Sequence, residues 1–290
     1  LASKHSVPRA YGTYAGLLDD HDVDVVYIAN THPHHRDVAL AAIERGKAVL
    51  VEKAFAATLD GAQQVVQAAR EVGARKCYLI EETVAAAIGA GIAIAEPVGS
   101  MIIDIGGGTT DLAIISLGGI VVSESLRIAG NTFDRDIMAY VKSRYNLLIG
   151  DRTAEQIKRE IGAAKIVTPD DARTIEVRGR DLIDGMPKSV TVSTEDVVTA
   201  LESSLKKIAD AMVKVLEQAP PELVSDVIER GIVITGGGAL LRNLDAYLSG
   251  VTSIPVGVAS NPADCVVLGT AQALDMVHVL KDAYFDEARP

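Results

Sequence analysis

The chain has little cysteine: two residues, Cys77 and Cys265, each inside an apolar run and neither in a CxxC or Cys/His spacing. Disulfide frameworks and zinc sites need paired or regularly spaced thiols, so neither is expected, and a reducing cytoplasm is the expected location. Positive charge is also scarce. Against 39 Asp and Glu stand 28 Lys and Arg, for a net charge of −11, and no basic stretch supplies the positive surface that nucleic-acid binding depends on. The longest apolar run, residues 84–95, is broken by Glu96-Pro97 and is too short to span a bilayer. Membrane contact is therefore not supported by the sequence. Leu1 opens the chain without an initiator methionine or a charged-then-apolar leader, which reads as a fragment or a processed product.

Apolar residues are plentiful, at 48% of 290, and that length predicts about two domains with real cores. The first part alternates strand and helix: strands over 24–30, 48–52 and 77–81, helices over 36–45 and 59–72. Val25-Val26-Tyr27-Ile28 and Val49-Leu50-Val51 are continuous apolar runs, which predicts a parallel sheet buried on both faces. Gly46 and Gly73 stand where helices should end.

From residue 99 the texture becomes strand-rich, with strands over 100–105, 112–116 and 120–128 and a turn at Leu117-Gly118-Gly119. That spacing predicts an antiparallel meander. Helices over 133–145 and 153–161 follow, then a hairpin of 175–177 and 189–192 around Asp184-Gly185. A long helix over 194–217 is capped by Ser193 or Thr194 and punctuated by Pro220-Pro221. A strand over 231–235, the triplet Gly236-Gly237-Gly238, a helix over 241–248, a strand over 256–258 and a helix over 266–279 complete the chain.

Residues 101–111 run an apolar strand into three glycines, two threonines and an aspartate. Phosphates need several backbone N–H donors at close range, and residues without a Cβ let the backbone approach tightly or take positive φ. Gly106, Gly107 and Gly108 fit that need. Asp104 and Asp111 would repel bare phosphate, so they make sense with a divalent cation or an attacking water between, which points to a nucleotide with Mg²⁺. A glycine-rich turn with solvated aspartates is the plainer alternative. The second triplet, about 130 residues later, again ends an apolar strand and would bring N–H groups and a helix N-terminus to one point. Two such turns in one chain favour ligand binding.

With these residues in view, positions from about 70 to 278 resemble the bacterial actin homologue family MreB, and more loosely the actin and heat-shock-chaperone ATPase superfamily. The landmarks are residues 73–82, 85–91, 104–111 and 145–150, and 231–241. The resemblance implies an actin-like, ribonuclease H-like α/β second domain, an ATP site with Mg²⁺ and self-association into filaments. It also implies roles. Asp104 with Gly106, Gly107, Gly108 and Thr109 would form the second phosphate loop, Asp104 and Asp111 the metal side, and Glu82 would orient the attacking water. Glu155, Gln156, Ile157 and Lys158 would clamp the ribose side, and Gly237, Gly238, Ala239 and Leu240 would pack on adenine and sugar. An ordinary surface pair is the other reading of Glu155 and Lys158. Thr83 stands where the family usually has proline. The family's first phosphate loop has no counterpart in residues 1–70, nor do its membrane-contacting segment and first-half polymer contacts, so turnover is expected to be weak or absent and filament formation is in doubt.

Residues 1–70 resemble another family. Residues 7–14, 24–30, His32-Pro33-His34-His35 and 49–55 are similar to the glucose–fructose oxidoreductase and inositol dehydrogenase family, near its dihydrodiol dehydrogenase branch. That resemblance implies a truncated Rossmann-like segment in which Lys53 positions nicotinamide and substrate, while Asn30 lines the NAD(P) crevice beside His35; Ala54 replaces a usual proline. Its GxGxxG turn and substrate domain are missing, which argues against oxidoreductase activity.

The expected organisation is a Rossmann-like segment over 1–72 and a strand–helix connection over 73–98. An actin-like domain over 99–280, with a small subdomain inserted at about 150–225, and a tail over 281–290 follow. The strand at 48–53, the helix after it and the strand at 77–81 are expected to stand in for the strand–helix–strand that precedes Glu82 in the actin-like first domain, since both families use parallel units with right-handed crossovers. The leading function is that of a cell-shape cytoskeletal protein with a partly built ATP site. An oxidoreductase remnant and a chimera without selected activity are the alternatives.

Overall fold

Val25-Val26-Tyr27-Ile28 forms strand β1 (Val25–Ile28), which pairs in parallel with β2 (Ala48–Val51) across helix α2 (His35–Glu44). This computed structural model describes residues 9–28, 30, 32–51, 58–72, 79–276 and 284–285. They fall into two compact units that divide between Leu79 and Ile80, with Phe285 returning to the first. In the first unit, α1 (Tyr14–Leu18), α2 and α3 (Leu59–Glu71) join β1 around one small core of Leu18, Val26, Ile28, Ala39, Ala42, Ile43 and Val65. Thr58 caps α3 by accepting from Gly61 N at 3.0 Å, and Gly46 ends the α2 turn with φ +69°. The expected burial of both faces is not found. Val25 and Tyr27 are exposed while Val26 and Ile28 are buried, because these helices share one core on one side of β1. Of the strand expected over 77–81, residues 77–78 lie outside the described residues, β3 covers Leu79–Ile80, and Glu81 is already the cap of the helix that follows.

The second unit is built on a mixed five-stranded sheet. Its members are β4 (Ser100–Ile105), β5 (Thr110–Ser116), β6 (Gly119–Leu126), β10 (Ile232–Thr235) and β11 (Val256–Val258), in the order β11-β10-β4-β5-β6. The meander is present, since β4–β5 and β5–β6 are antiparallel, while β10 runs parallel to both β4 and β11. Leu117 and Gly118 both have positive φ, as the tight hairpin turn between β5 and β6 requires. Every β4 residue is buried, which is why Met101-Ile102-Ile103 shows no alternation.

On one face, Met101, Ile103 and Ile105 join the main core with α5 (Gly130–Tyr145), α6 (Asp151–Ile161) and α7 (Thr194–Gln218). On the other, Ile102, Ala113 and Ile115 pack with α4 (Glu82–Gly89) and Ala273 of α10 (Cys265–Ala273). A three-stranded sheet, β7 (Leu147–Leu148), β8 (Thr174–Asp181) and β9 (Pro187–Ser193), fills the stretch between α5 and α7. Its hairpin is longer than expected, because ladder pairing carries the polar residues beyond the apolar ones. A helix α8 (Pro221–Arg230) follows Pro220, and α9 (Leu244–Thr252) precedes β11. Among the described residues no helix is long and apolar enough to cross a membrane.

Candidate functional site

A row of polar side chains crosses one end of the five-stranded sheet. The register sets Thr235 beside Asp104, Asp104 opposite Asp111 and Asp111 opposite Ser125. Directly paired residues point to the same face, so four strands contribute one residue each. The Thr235 hydroxyl donates to Asp104 Oδ1 at 2.9 Å, and the Ser125 hydroxyl donates to Asp111 Oδ1 at 2.6 Å. Asp104 is 4% exposed and Thr235 fully buried. The face is that of Ile102, two residues before Asp104, and α4 covers it. Glu82, half-buried, opens α4 beside the buried Thr83.

The loop after β4 is closed by Gly106 N donating to Thr109 O at 2.9 Å. The start of α5 holds it from behind: Gly130 N donates to Gly106 O at 3.1 Å and Asn131 N to Gly107 O at 2.8 Å. Gly106, Gly107 and Gly108 do not adopt positive φ, so the left-handed conformation is not what glycine supplies here. Open approach is: a Cβ on Gly108 would meet nothing within 4 Å. At Gly236 and Gly238 of the second triplet glycine is required for another reason. Gly236 has φ +83°, and a Cβ there would lie 2.3 Å from Ile105 O and 2.7 Å from Asp104 Oδ1; on Gly238 it would lie 2.3 Å from Ile105 Cγ2. The second glycine turn therefore packs on the end of β4, where the first loop begins.

The second turn is not the expected strand–glycine–helix corner. Gly237–Leu240 forms a 3₁₀ turn, and α9 starts only at Leu244 after Asn243 in the left-handed conformation. Residues 241–243 are drawn instead to the end of α6, where Ala164 N donates to Arg242 O at 2.8 Å. Ala239 is buried and Leu240 is 63% exposed.

On α6, Lys158 reaches the start of α5, which backs the first loop. Its Nζ lies 2.8 Å from Asp134 Oδ1 and donates to Gly130 O at 3.0 Å, and a Cβ on Gly130 would stand 3.6 Å from that Nζ and 3.7 Å from Gly107 Cα. Glu155 is exposed and meets Arg159 at 3.4 Å; Gln156 bonds Glu160 at 3.0 Å. Ile157 is buried in the main core, so its side chain serves packing.

A family model described as MreB/Mbl protein matches residues 40–282. The chain belongs to the MreB/Mbl family. Over 239 residues it is 49% identical to the cell shape-determining protein MreB of Escherichia coli (strain K12), covering 82% of this chain and 68% of that protein. MreB5 of Spiroplasma citri bound to ADP superposes with a TM-score of 0.76 at 38% identity, over 86% of this chain and 77% of that one. Its structure bound to AMPPNP gives 0.69 at 37% identity, over 89% and 69%. The actin-like α/β fold is thereby established. The MreB/Mbl match begins at residue 40, upstream of the position near 70 where the resemblance was expected to start, and these matches lend no support to an oxidoreductase segment or a chimera.

Of the nicotinamide candidates, Asn30 and His35 lie in the first unit. His35 is fully buried, with Nε2 2.8 Å from Asn30 O, and Lys53 falls outside the described residues, as does Cys77. In the MreB-like unit, Cys265 is buried; burial and then the charges of Asp104 and Asp264 push its thiol pKa up, which makes it an inert packing residue. Among the described residues no cluster of three or more His, Cys, Asp or Glu could hold a metal alone. Sequence reading missed Thr235 and Ser125. Only strand register reveals them, although Thr235 stands immediately before the second triplet.

Proposed function

We propose that the second unit binds an adenine nucleotide with Mg²⁺, and that the chain is a cell-shape cytoskeletal protein of the cytoplasm that assembles with copies of itself. The observation that carries the nucleotide reading is the contact of Gly236 and Gly238 with Ile105 and Asp104. It sets the second turn against the end of β4, where the first loop begins, next to a buried carboxylate. A relative with 38% identity, crystallised with ADP, supports the same ligand class. Residues 106–109 would face the phosphates, Glu155, Lys158 and the Gly237–Leu240 turn the sugar and base, and Glu82 the attacking water. Asp104 and Asp111 suit Mg²⁺, which takes one or two carboxylates and completes its shell with phosphate and water. The bound ion would supply charge neutralisation at the phosphates. Residues 150–225 are assigned as an inserted small subdomain carrying α6 and the second sheet.

Calorimetric titration tests the reading. ATP should bind more tightly with Mg²⁺ than with a chelator, and Gly107→Val should lower affinity at least tenfold. Equal affinity in the variant sinks the assignment, and binding of NADPH in place of ATP favours the oxidoreductase reading. Pelleting with and without ATP checks assembly; nucleotide-dependent sedimentation is expected.

A further inference from the structure

Arg242 stands two residues beyond the Gly237–Leu240 turn, and its guanidinium is spent on backbone rather than on a carboxylate pair. Its Nε donates to Gly162 O at 3.0 Å, one terminal nitrogen to Ile161 O at 2.7 Å and the other to Asp171 O at 3.3 Å. The Asp171 carboxylate lies 3.9 Å away. Beside it, Asn243 Nδ2 donates to Lys165 O at 3.0 Å. The last carbonyls of a helix have no partner within the helix, and a cation there also meets the negative end of the helix dipole. Arginine suits the place because its planar fork offers several donors at fixed angles, which a lysine ammonium does not. Gly162, at the end of α6, has no room for a side chain, since a Cβ there would lie 2.2 Å from Lys158 O.

These bonds tie the second glycine turn to the helix that carries Glu155 and Lys158. We propose that Arg242 is a positioning residue of the nucleotide site: it fixes α6 against the Gly237–Leu240 turn, and so sets the grip on base and ribose without touching the ligand. The proposal rests on the adenine-nucleotide reading above. Residues 106–109 are held by backbone bonds from the start of α5, to which α6 is joined through Lys158. Loss of Arg242 leaves those bonds in place and frees only the far end of α6, so nucleoside recognition should suffer more than phosphate recognition.

The full chain and its Arg242→Met and Arg242→Lys variants are titrated with ADP and with inorganic pyrophosphate, both with Mg²⁺. Arg242→Met should bind ADP at least tenfold more weakly while its pyrophosphate affinity changes less than twofold. Arg242→Lys should fall between, because one ammonium cannot span three carbonyls in fixed geometry; it decides the matter if the methionine variant does not fold. Unchanged ADP affinity, or equal losses for both ligands, overturns the proposal. Wild-type protein that binds pyrophosphate but not ADP rejects the adenine reading, and this inference with it.

Discussion

Asp104 is oriented by a hydroxyl from another strand: Thr235, fully buried, donates to it at 2.9 Å. Thr235→Val keeps the shape and removes the donor, leaving an acceptor short of a partner in a site where that costs about 1–3 kcal/mol. The expected outcome is a roughly tenfold loss of the Mg²⁺-dependent part of ADP affinity, with affinity in chelator unchanged and Thr235→Ser close to wild type. A valine variant with the full Mg²⁺ effect would remove Thr235 from the site. The contiguous part of the site was legible in the sequence, because Asp104, the glycine loop and Asp111 form one strand-turn-strand. Thr235, Ser125 and Arg242 were not, since each acquires its partner only through pairing with residues far away in the chain. The glycines show the same divide. Their presence marked both turns, but positive φ is used at Gly236 and not at Gly106, Gly107 or Gly108, and only packing distinguishes the two.

Helix α7 opens on a hydrogen-bonded cluster around one carboxylate. Ser193 N donates to Asp196 Oδ2 at 2.9 Å, Asp196 N donates back to Ser193 Oγ at 3.3 Å, and the hydroxyls of Tyr140 and Tyr145 donate to the same carboxylate at 3.0 and 2.7 Å. Burial pushes the Asp196 carboxyl up, but the bonds from Tyr145, Ser193 and Tyr140 outweigh it and hold the pKa below its ordinary value. Burial, then the bond to Asp196, pushes Tyr145 up to about 12. A depressed carboxyl stabilises the fold above its unfolded pKa and loses that contribution as pH falls through the folded value. A raised phenol does so below its unfolded pKa and loses it as pH rises through about 12. Asp196→Asn should therefore lower the urea midpoint at neutral pH and flatten its decline between about pH 5 and 3. A decline as steep as in the wild type would refute the role. The capping residue was readable because Ser193 precedes a long amphipathic run. Helix α8 was not, because Pro220-Pro221 looks like punctuation, whereas proline is well suited to a first helical turn. The late start of α9 was hidden too, since tertiary bonds to α6 claim residues 241–243.

At the scale of the molecule, kinship and compactness divide the chain differently. The family match begins at residue 40, inside α2, while the compact units part between Leu79 and Ile80. A strand–helix–strand unit with amphipathic helices has much the same pattern in many α/β folds, which is why the sequence before residue 70 could be read toward another family. The second unit is closed by segments from its two ends. A Cβ on Gly89 would fall 1.9 Å from Cys265 O, and one on Gly269 would fall 1.7 Å from Ala85 O, so α4 and α10 meet backbone to backbone. During synthesis α4 leaves the ribosome long before its partner exists, and at translation speeds of about 5–20 residues per second the wait is on the order of ten seconds or more. Throughout that interval Val84, Ala86, Ala87 and Ile88, all buried in the finished unit, have only part of their cover. A chain cut after residue 260 should stay open to protease at residues 82–89, and the full chain should not; equal resistance would show that α10 is dispensable. The glycine pair thus makes the burial of α4 wait in time for a helix that is synthesised much later.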